Sequence, residues 1–232
     1  MIQYTISVKN KNYPIYRFRY EPVDSNMFFI PVGETGVVFD PNISEDLLLL
    51  FTSLGTKRVQ IILTHEHYDH TTGVAWLQKH IEAPVFCHQD CARYISSEKG
   101  NTPRLVAMAL KTKDLADGGH RCDDFLAAYV PYKLKADKTF GNKGEITIGD
   151  CTFKCFSTPG HSPGSACYIL DNKYVFTGDS LIQNSPTITR FRTSNNATYE
   201  DVTRPFLRSL DKKILVFPGH GEPFKISESK YL

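Results

Sequence analysis

Apolar and polar positions alternate along the first forty residues, and this period of two predicts strands over residues 4–8, 15–20, 27–31 and 36–39, with Asn10, Lys11 and Asn12 as the first turn. The pattern then changes. Residues 44–54 read as a helix, opened by Ser44, Glu45 and Asp46 and closed near Gly55. A strand over residues 59–63, a helix over 72–80 and a strand over 84–87 complete the first half. The second half repeats the flavour, with strands at 145–148, 152–156, 166–170 and 173–176, a helix over about 199–210 and a last strand at 214–217. Two such halves predict an α/β (α+β) fold arranged as an αββα four-layer sandwich, with helices outside two facing sheets.

The chemistry concentrates where apolar runs end. Five of the eight histidines fall in three short blocks, Thr64-His65-Glu66-His67-Tyr68-Asp69-His70, Thr158-Pro159-Gly160-His161 and Phe217-Pro218-Gly219-His220. A fourth block is Thr177-Gly178-Asp179. Each follows a strand-like run, and Pro159, Gly160, Gly178, Pro218 and Gly219 supply turn chemistry. Ligands carried just past strand ends can meet on one rim of a sheet. Imidazole and carboxylate are the donors that zinc and related borderline cations prefer, so the set describes a two-metal site.

These blocks resemble the metallo-β-lactamase superfamily, and within it the glyoxalase II-like hydrolases, whose signature runs His-x-His-x-Asp-His, His, Asp, His. The likeness extends to Gly160-His161-Ser162-Pro163-Gly164-Ser165, Phe176-Thr177-Gly178-Asp179-Ser180 and Phe217-Pro218-Gly219-His220-Gly221. It implies that His65, His67 and His161 hold a first metal, that Asp69, His70 and His220 hold a second, and that Asp179 bridges them. The implied cofactor is two divalent metal ions, Zn2+ first and Fe or Mn as alternatives. The implied reaction is hydrolysis of a thioester, lactone or related ester by a metal-bridging hydroxide, with Asp69 also orienting the nucleophile and taking its proton. Glu66 after His65 does not make a helical His-Glu-x-x-His protease motif, because position 69 is Asp and the preceding run is strand-like. Glu66 is expected to be a variable loop side chain. Asp179 stands where many secreted β-lactamases of the superfamily carry cysteine, which disfavours antibiotic hydrolysis.

Two departures from glyoxalase II separate the superfamily reading from a substrate. Only twelve residues follow His220, where full-length members carry a helical extension that helps hold glutathione. The basic Gly-rich segment expected after the bridging aspartate is replaced by Leu181-Ile182-Gln183-Asn184-Ser185-Pro186. Arg190 and Arg192 are expected as solvated strand or loop residues, with a grip on a substrate carboxylate or phosphate as the other reading. The alternatives in other classes are a mononuclear iron persulfide dioxygenase, a phosphodiesterase or nuclease, and a metal-binding protein without catalysis.

Composition narrows the setting. The 232 residues, 41% hydrophobic and 22% charged, suit one compact domain over 1–232, with a candidate lid insert at about 98–139 containing a helix-like run over 103–115. A net charge of +2 without a Lys/Arg run gives no expectation of a nucleic-acid partner, so the expected partner is a small-molecule substrate. No stretch is long and apolar enough to span a membrane. Cys87, Cys91, Cys122, Cys151, Cys155 and Cys167 form no Cys-x-x-Cys pair, and the start lacks a signal-peptide core, so a reducing cytoplasm is expected. His120 is expected to face solvent, Cys122 to be buried, and His88 to cap the helix after Cys87.

Overall fold

The computed structural model describes residues 1–98 and 103–232, and two β-sheets face each other at its centre. The first sheet follows chain order through β1 (Ile2–Val8), β2 (Lys11–Tyr20), β3 (Ser25–Val32), β4 (Thr35–Phe39), β5 (Arg58–Ile62), β6 (Val85–His88) and β7 (Lys138–Phe140). It is antiparallel from β1 to β4 and parallel from β4 to β7. The second sheet runs β8 (Lys143–Ile148), β9 (Cys151–Ser157), β10 (Ala166–Leu170), β11 (Tyr174–Gly178), β12 (Leu215–Pro218) and β13 (Phe224–Lys225), with only the β11–β12 pair parallel.

The period of two sorts side chains between layers. In β3, Phe28 and Ile30 enter the core between the sheets, while Met27 and Phe29 join the outer core. Between the sheets, Phe39 stacks on Phe176 with centroids 3.9 Å apart, and Phe176 stacks on Phe217 at 5.0 Å. Phe176 and Phe217 lie on β11 and β12, directly before the Asp179 and His220 blocks. Helices α1 (Glu45–Leu54), α2 (Tyr68–Thr71), α3 (Val74–Gln78) and α4 (Gln89–Ile95) follow in the first half, and α1, α3 and α4 bury Leu47, Phe51, Val74, Leu77 and Ile95 against the first sheet. In the second half α7 (Asn196–Thr198), a π-helical turn (Tyr199–Thr203) and α8 (Arg204–Ser209) run on continuously, and Leu207 packs on the second sheet. The αββα layering is therefore as the sequence implies.

Some local expectations shift. The first turn is Lys9–Asn10, both at positive φ, so that Val8 pairs with Lys11 and the strand starts earlier than the pattern suggests. The helix expected over 72–80 begins at Tyr68 and breaks at Gly73, whose N–H turns aside to donate to the Pro41 carbonyl at 2.8 Å. Strands β7 and β13, of three and two residues, are too short to leave a period. Between β6 and β7, α5 (Arg104–Asp117) and α6 (Arg121–Ala128) bury Val106, Leu110 and Cys122 in a small cluster of their own that also touches Tyr68. Residues 99–102 of the expected insert lie outside the described residues. His120 is exposed and all six cysteines are buried and unpaired.

Candidate metal centre

The four blocks lie past the C-terminal ends of β5, β9, β11 and β12. Because β10 is antiparallel to both β9 and β11, and β11 is parallel to β12, three of those ends point the same way within the second sheet. The first sheet is drawn to the same rim by two bonds across the seam: Ala166 N–H donates to Thr64 O at 2.8 Å, and Tyr168 O–H donates to Leu63 O at 2.7 Å.

All seven sequence-predicted donors meet there. His65, His67 and His161 form one group and Asp69, His70 and His220 a second, with donor atoms within 4.8 Å of one another in each. In the first, His67 Nδ1 stands 3.1 Å from His65 Nε2 and 2.9 Å from His161 Nε2. In the second, Asp69 Oδ2 lies 3.3 Å from His70 Nε2 and 3.4 Å from His220 Nε2. Asp179 reaches both, with Oδ2 3.5 Å from His161 Nε2 and 3.4 Å from His220 Nε2, and Oδ1 3.5 Å from His70 Nε2. Donors about 2.1 Å from a shared tetrahedral cation stand roughly 3.4 Å apart, so the spacings around Asp69, His70, His220 and Asp179 suit ligation, while the three imidazoles of the first group stand closer together, at hydrogen-bonding distance. Among the described residues, His70 Nε2 and Asp179 Oδ1 are buried without a hydrogen-bond partner, the state expected of atoms reserved for a cation.

The opposite ring nitrogens fix the tautomers. His161 Nδ1–H donates to Ile188 O at 2.9 Å, His220 Nδ1–H to Val23 O at 3.1 Å and His70 Nδ1–H to Asp40 Oδ2 at 2.9 Å, so each ring turns its Nε2 toward the centre. His65 Nδ1–H donates to Thr64 Oγ1 at 3.0 Å, and that hydroxyl donates to Asp40 Oδ2 at 2.6 Å. Asp40 also accepts from Thr64 N–H at 2.7 Å and sits at φ 49°, an unusual conformation held by these bonds. Asp40, His65 and His70 form a third close group of possible donors. The Asp40 oxygens accept from Thr64 and His70, so Asp40 is placed to orient the His65 and His70 rings.

Asp40 and Glu66 are the residues that the sequence pattern missed or misjudged. Asp40 follows directly on the apolar run ending at Phe39, and that position past a strand end was its only signal. Glu66 corrects the expectation of a variable loop side chain. It is 2% exposed, accepts from Ser162 O–H at 3.0 Å and from Gly164 N–H at 3.3 Å, and so ties the His65–His67 loop to the His161 loop. Burial pushes its carboxyl up to about 7. The two loops approach so closely that a Cβ on Gly164 would lie 2.4 Å from Glu66 Oε2. On the other flank, a Cβ on Gly219 would lie 2.1 Å from Asp179 Oδ1, so only glycine lets the His220 loop pass.

The two groups differ in charge. Burial lowers His65, His67 and His161, His67 to about 3, which keeps them neutral and free to ligate. Burial alone would raise Asp69 and Asp179, but His70 and His220 outweigh it and hold both carboxyls well below the usual range. Burial opposes charge on His220 as well, yet Asp179 and Asp69 carry it up to about 10.

Comparison with known proteins agrees with this geometry. Residues 20–220 match the family model of the metallo-beta-lactamase superfamily, and the chain belongs to that superfamily. It is 26% identical over 202 residues to a probable metallo-hydrolase, YqgX, of Bacillus subtilis (strain 168), covering 86% of each chain. A hydroxyacylglutathione hydrolase of Rhodospirillum rubrum is 26% identical over 85% of this chain and 62% of its own length. Among solved structures, the BLEG-1 B3 metallo-beta-lactamase superposes with a TM-score of 0.71 at 25% identity, over 92% of this chain and 95% of that one.

Proposed function

We propose that the chain is a binuclear metal-dependent hydrolase that cleaves a thioester, lactone or related ester of a small molecule. The observation that carries this reading is the convergence of the two groups of three on Asp179, with His70 Nε2 and Asp179 Oδ1 left unpartnered among the described residues. His65, His67 and His161 would hold one cation, Asp69, His70 and His220 the other, and Asp179 would touch both. The donor set of imidazoles and carboxylates suits Zn2+ best and also accepts Fe or Mn. A pair of such cations supplies a Lewis acid for the acyl oxygen and a water acidic enough to attack at neutral pH.

The chain's own residues do the rest. Asp69, about one-tenth exposed, is placed to hold the attacking water by hydrogen bonding and to take its proton. That proton then passes to the leaving thiolate or alkoxide as the carbonyl carbon exchanges its C–S or C–O bond for one to the water oxygen. His67 lines a cavity of about 1190 Å³, and Arg104, Leu105 and Met108 of α5 line it from the side of the insert. We take the insert as the cover of the substrate site in a single domain formed by both sheets. Six unpaired buried cysteines support a reducing compartment such as the cytoplasm.

Elemental mass spectrometry on protein purified without added metal or chelator tests the reading, followed by a panel of thioesters, lactones and a β-lactam. About two cations per chain and turnover of a thioester or lactone are expected. One iron per chain with oxygen uptake on a persulfide would overturn it in favour of the dioxygenase, and bound metal with no turnover on any substrate would leave a binding protein.

A further inference from the structure

The cavity beside His67 holds an unusual concentration of unbalanced positive charge. The chain has ten arginines. Arg17, Arg19, Arg93, Arg121 and Arg204 have carboxylate partners among the described residues. Of the other five, Arg104, Arg190 and Arg192 all line this one cavity, and Arg93, whose Asp90 partner is 3.1 Å away, lines it too. The chain as a whole carries only +2, so this is not a sample of a generally basic surface. Among the described residues, Glu66 is the one carboxylate in the lining, and its oxygens already accept from Ser162 and Gly164.

The arginines come from two walls. Arg104 opens α5 and Arg93 lies on α4, while Arg190 and Arg192 belong to the segment after Asp179. That second wall is anchored on the metal site. Phe191, between the two arginines, packs edge-on against His67 and His161 with centroids 5.8 and 5.7 Å away. Ile188 O accepts from His161, and Ser194 O–H donates to His161 O at 2.5 Å. A molecule whose scissile carbonyl sits at the candidate metal centre would therefore pass Phe191 and end among guanidinium groups. Arg190 and Arg192 are exposed, as expected of solvated residues, and their place with Arg104 around one cavity favours the other reading, a grip on an anion.

We infer that this cleft selects substrates whose part remote from the scissile bond carries two or more negative charges, as carboxylates or a phosphate, on an otherwise apolar or aromatic body. The inference rests on the proposed hydrolase reading for its scissile bond but not for its anion site. Arginine binds both oxyanions bidentately, and each charge-assisted contact is strong enough to shift affinity about tenfold or more.

The experiment has two arms on the metal-loaded protein. In the first, thioesters sharing one acyl group are compared, with N-acetylcysteamine (neutral), mercaptosuccinate (dicarboxylate) or 2-mercaptoethyl phosphate as the thiol. The charged substrates are expected to show a KM at least about tenfold lower, and R104A, R190A and R192A each to raise that KM about tenfold more than the KM for the neutral thioester. The better of the two charged thiols distinguishes carboxylate from phosphate. Equal effects on neutral and charged substrates, or no advantage of charge, would overturn the inference. In the second arm, binding of naphthalene-1,5-disulfonate, a dianion that ligates metals poorly, is followed by its fluorescence in wild type and in R104A/R190A/R192A. Saturable binding in wild type that weakens at least about a hundredfold in the triple variant supports the anion cleft even if no thioester is turned over. Absence of binding overturns it. Displacement of the disulfonate by a single-stranded oligonucleotide at far lower concentration than by mercaptosuccinate would also overturn the small-molecule class.

Discussion

The two donor groups share one rim yet are balanced in different ways. His65, His67 and His161 are three neutral imidazoles, whereas Asp69, His70 and His220 include a carboxylate of their own. A second carboxylate, Asp40, stands directly behind His70 and reaches His65 only through the Thr64 hydroxyl. A cation in the first group would thus lean on Asp179 for charge neutralisation, and one in the second would not depend on it alone. The asymmetry teaches that the centre is a cradle of three neutral imidazoles beside one with a carboxylate of its own, with Asp179 reaching both, and not two copies of one arrangement.

The harshest way to break this comparison is to remove what the groups share. Asp179→Ala is expected to lower turnover by about 10³-fold or more, because several kcal/mol of electrostatic stabilisation depend on both cations. Elemental analysis should show the first cation more depleted than the second. Equal retention of both with full turnover would mean that Asp179 bridges nothing. Next in size are the separate groups. His161→Ala should leave about one cation per chain, and His220→Ala should likewise lose one, the residual cation differing between the two variants in its spectrum when cobalt is substituted. If either variant lost both cations together, the groups would be one cooperative site and the contrast would fail.

Supporting residues should sharpen the contrast on a smaller scale. Asp40→Ala leaves His70 Nδ1–H and the Thr64 hydroxyl without their acceptor, so metal affinity measured by chelator competition should fall about 10- to 100-fold, more at the second group, which Asp40 contacts directly. Glu66 acts on the other side. Glu66→Ala removes the acceptor of Ser162 O–H and Gly164 N–H from a buried seam, a loss of about 1–3 kcal/mol in thermal or denaturant unfolding. It should loosen the first group alone, since His161 shares its loop with Ser162. An equal loss of affinity at both groups would show that Glu66 only holds up the fold.

Most of the layering, and the seven candidate donors that the fold brings together, were legible because each signal is local. A strand announces itself by a period of two, and a ligand block by histidine and aspartate beside Gly and Pro. What escaped depends on distant parts of the chain. Glu66 looks like any loop carboxylate until the segment at Ser162–Gly164 folds over it, 96 residues away. Asp40 acquires its role only when β4 and β5 pair and bring Thr64 and His70 to it. Arg104 and Arg190 are 86 positions apart in sequence, and nothing in either neighbourhood says that they face one cavity. Helix breaks such as that at Gly73 were equally hidden, because the carbonyl that diverts its N–H belongs to Pro41.

The smallest expected effect tests whether position in the fold, and not residue type, decides what a histidine does here. His120 is as good a ligand by chemistry as His161, and Cys122 nearby is a second soft donor. Yet His120 is exposed at the start of α6 and its side chain makes no capping bond, while Cys122 is buried in the cluster with Val106 and Leu110. No close group of possible metal donors includes either residue among the described residues. His120→Ala should leave metal content at its wild-type value and stability within about 0.5 kcal/mol, as for a surface substitution away from any cap or pair. Loss of a cation in this variant would place a donor outside the rim and undo the division into two groups. An unchanged metal count would tie ligation to the strand ends that deliver His65, His161 and His220.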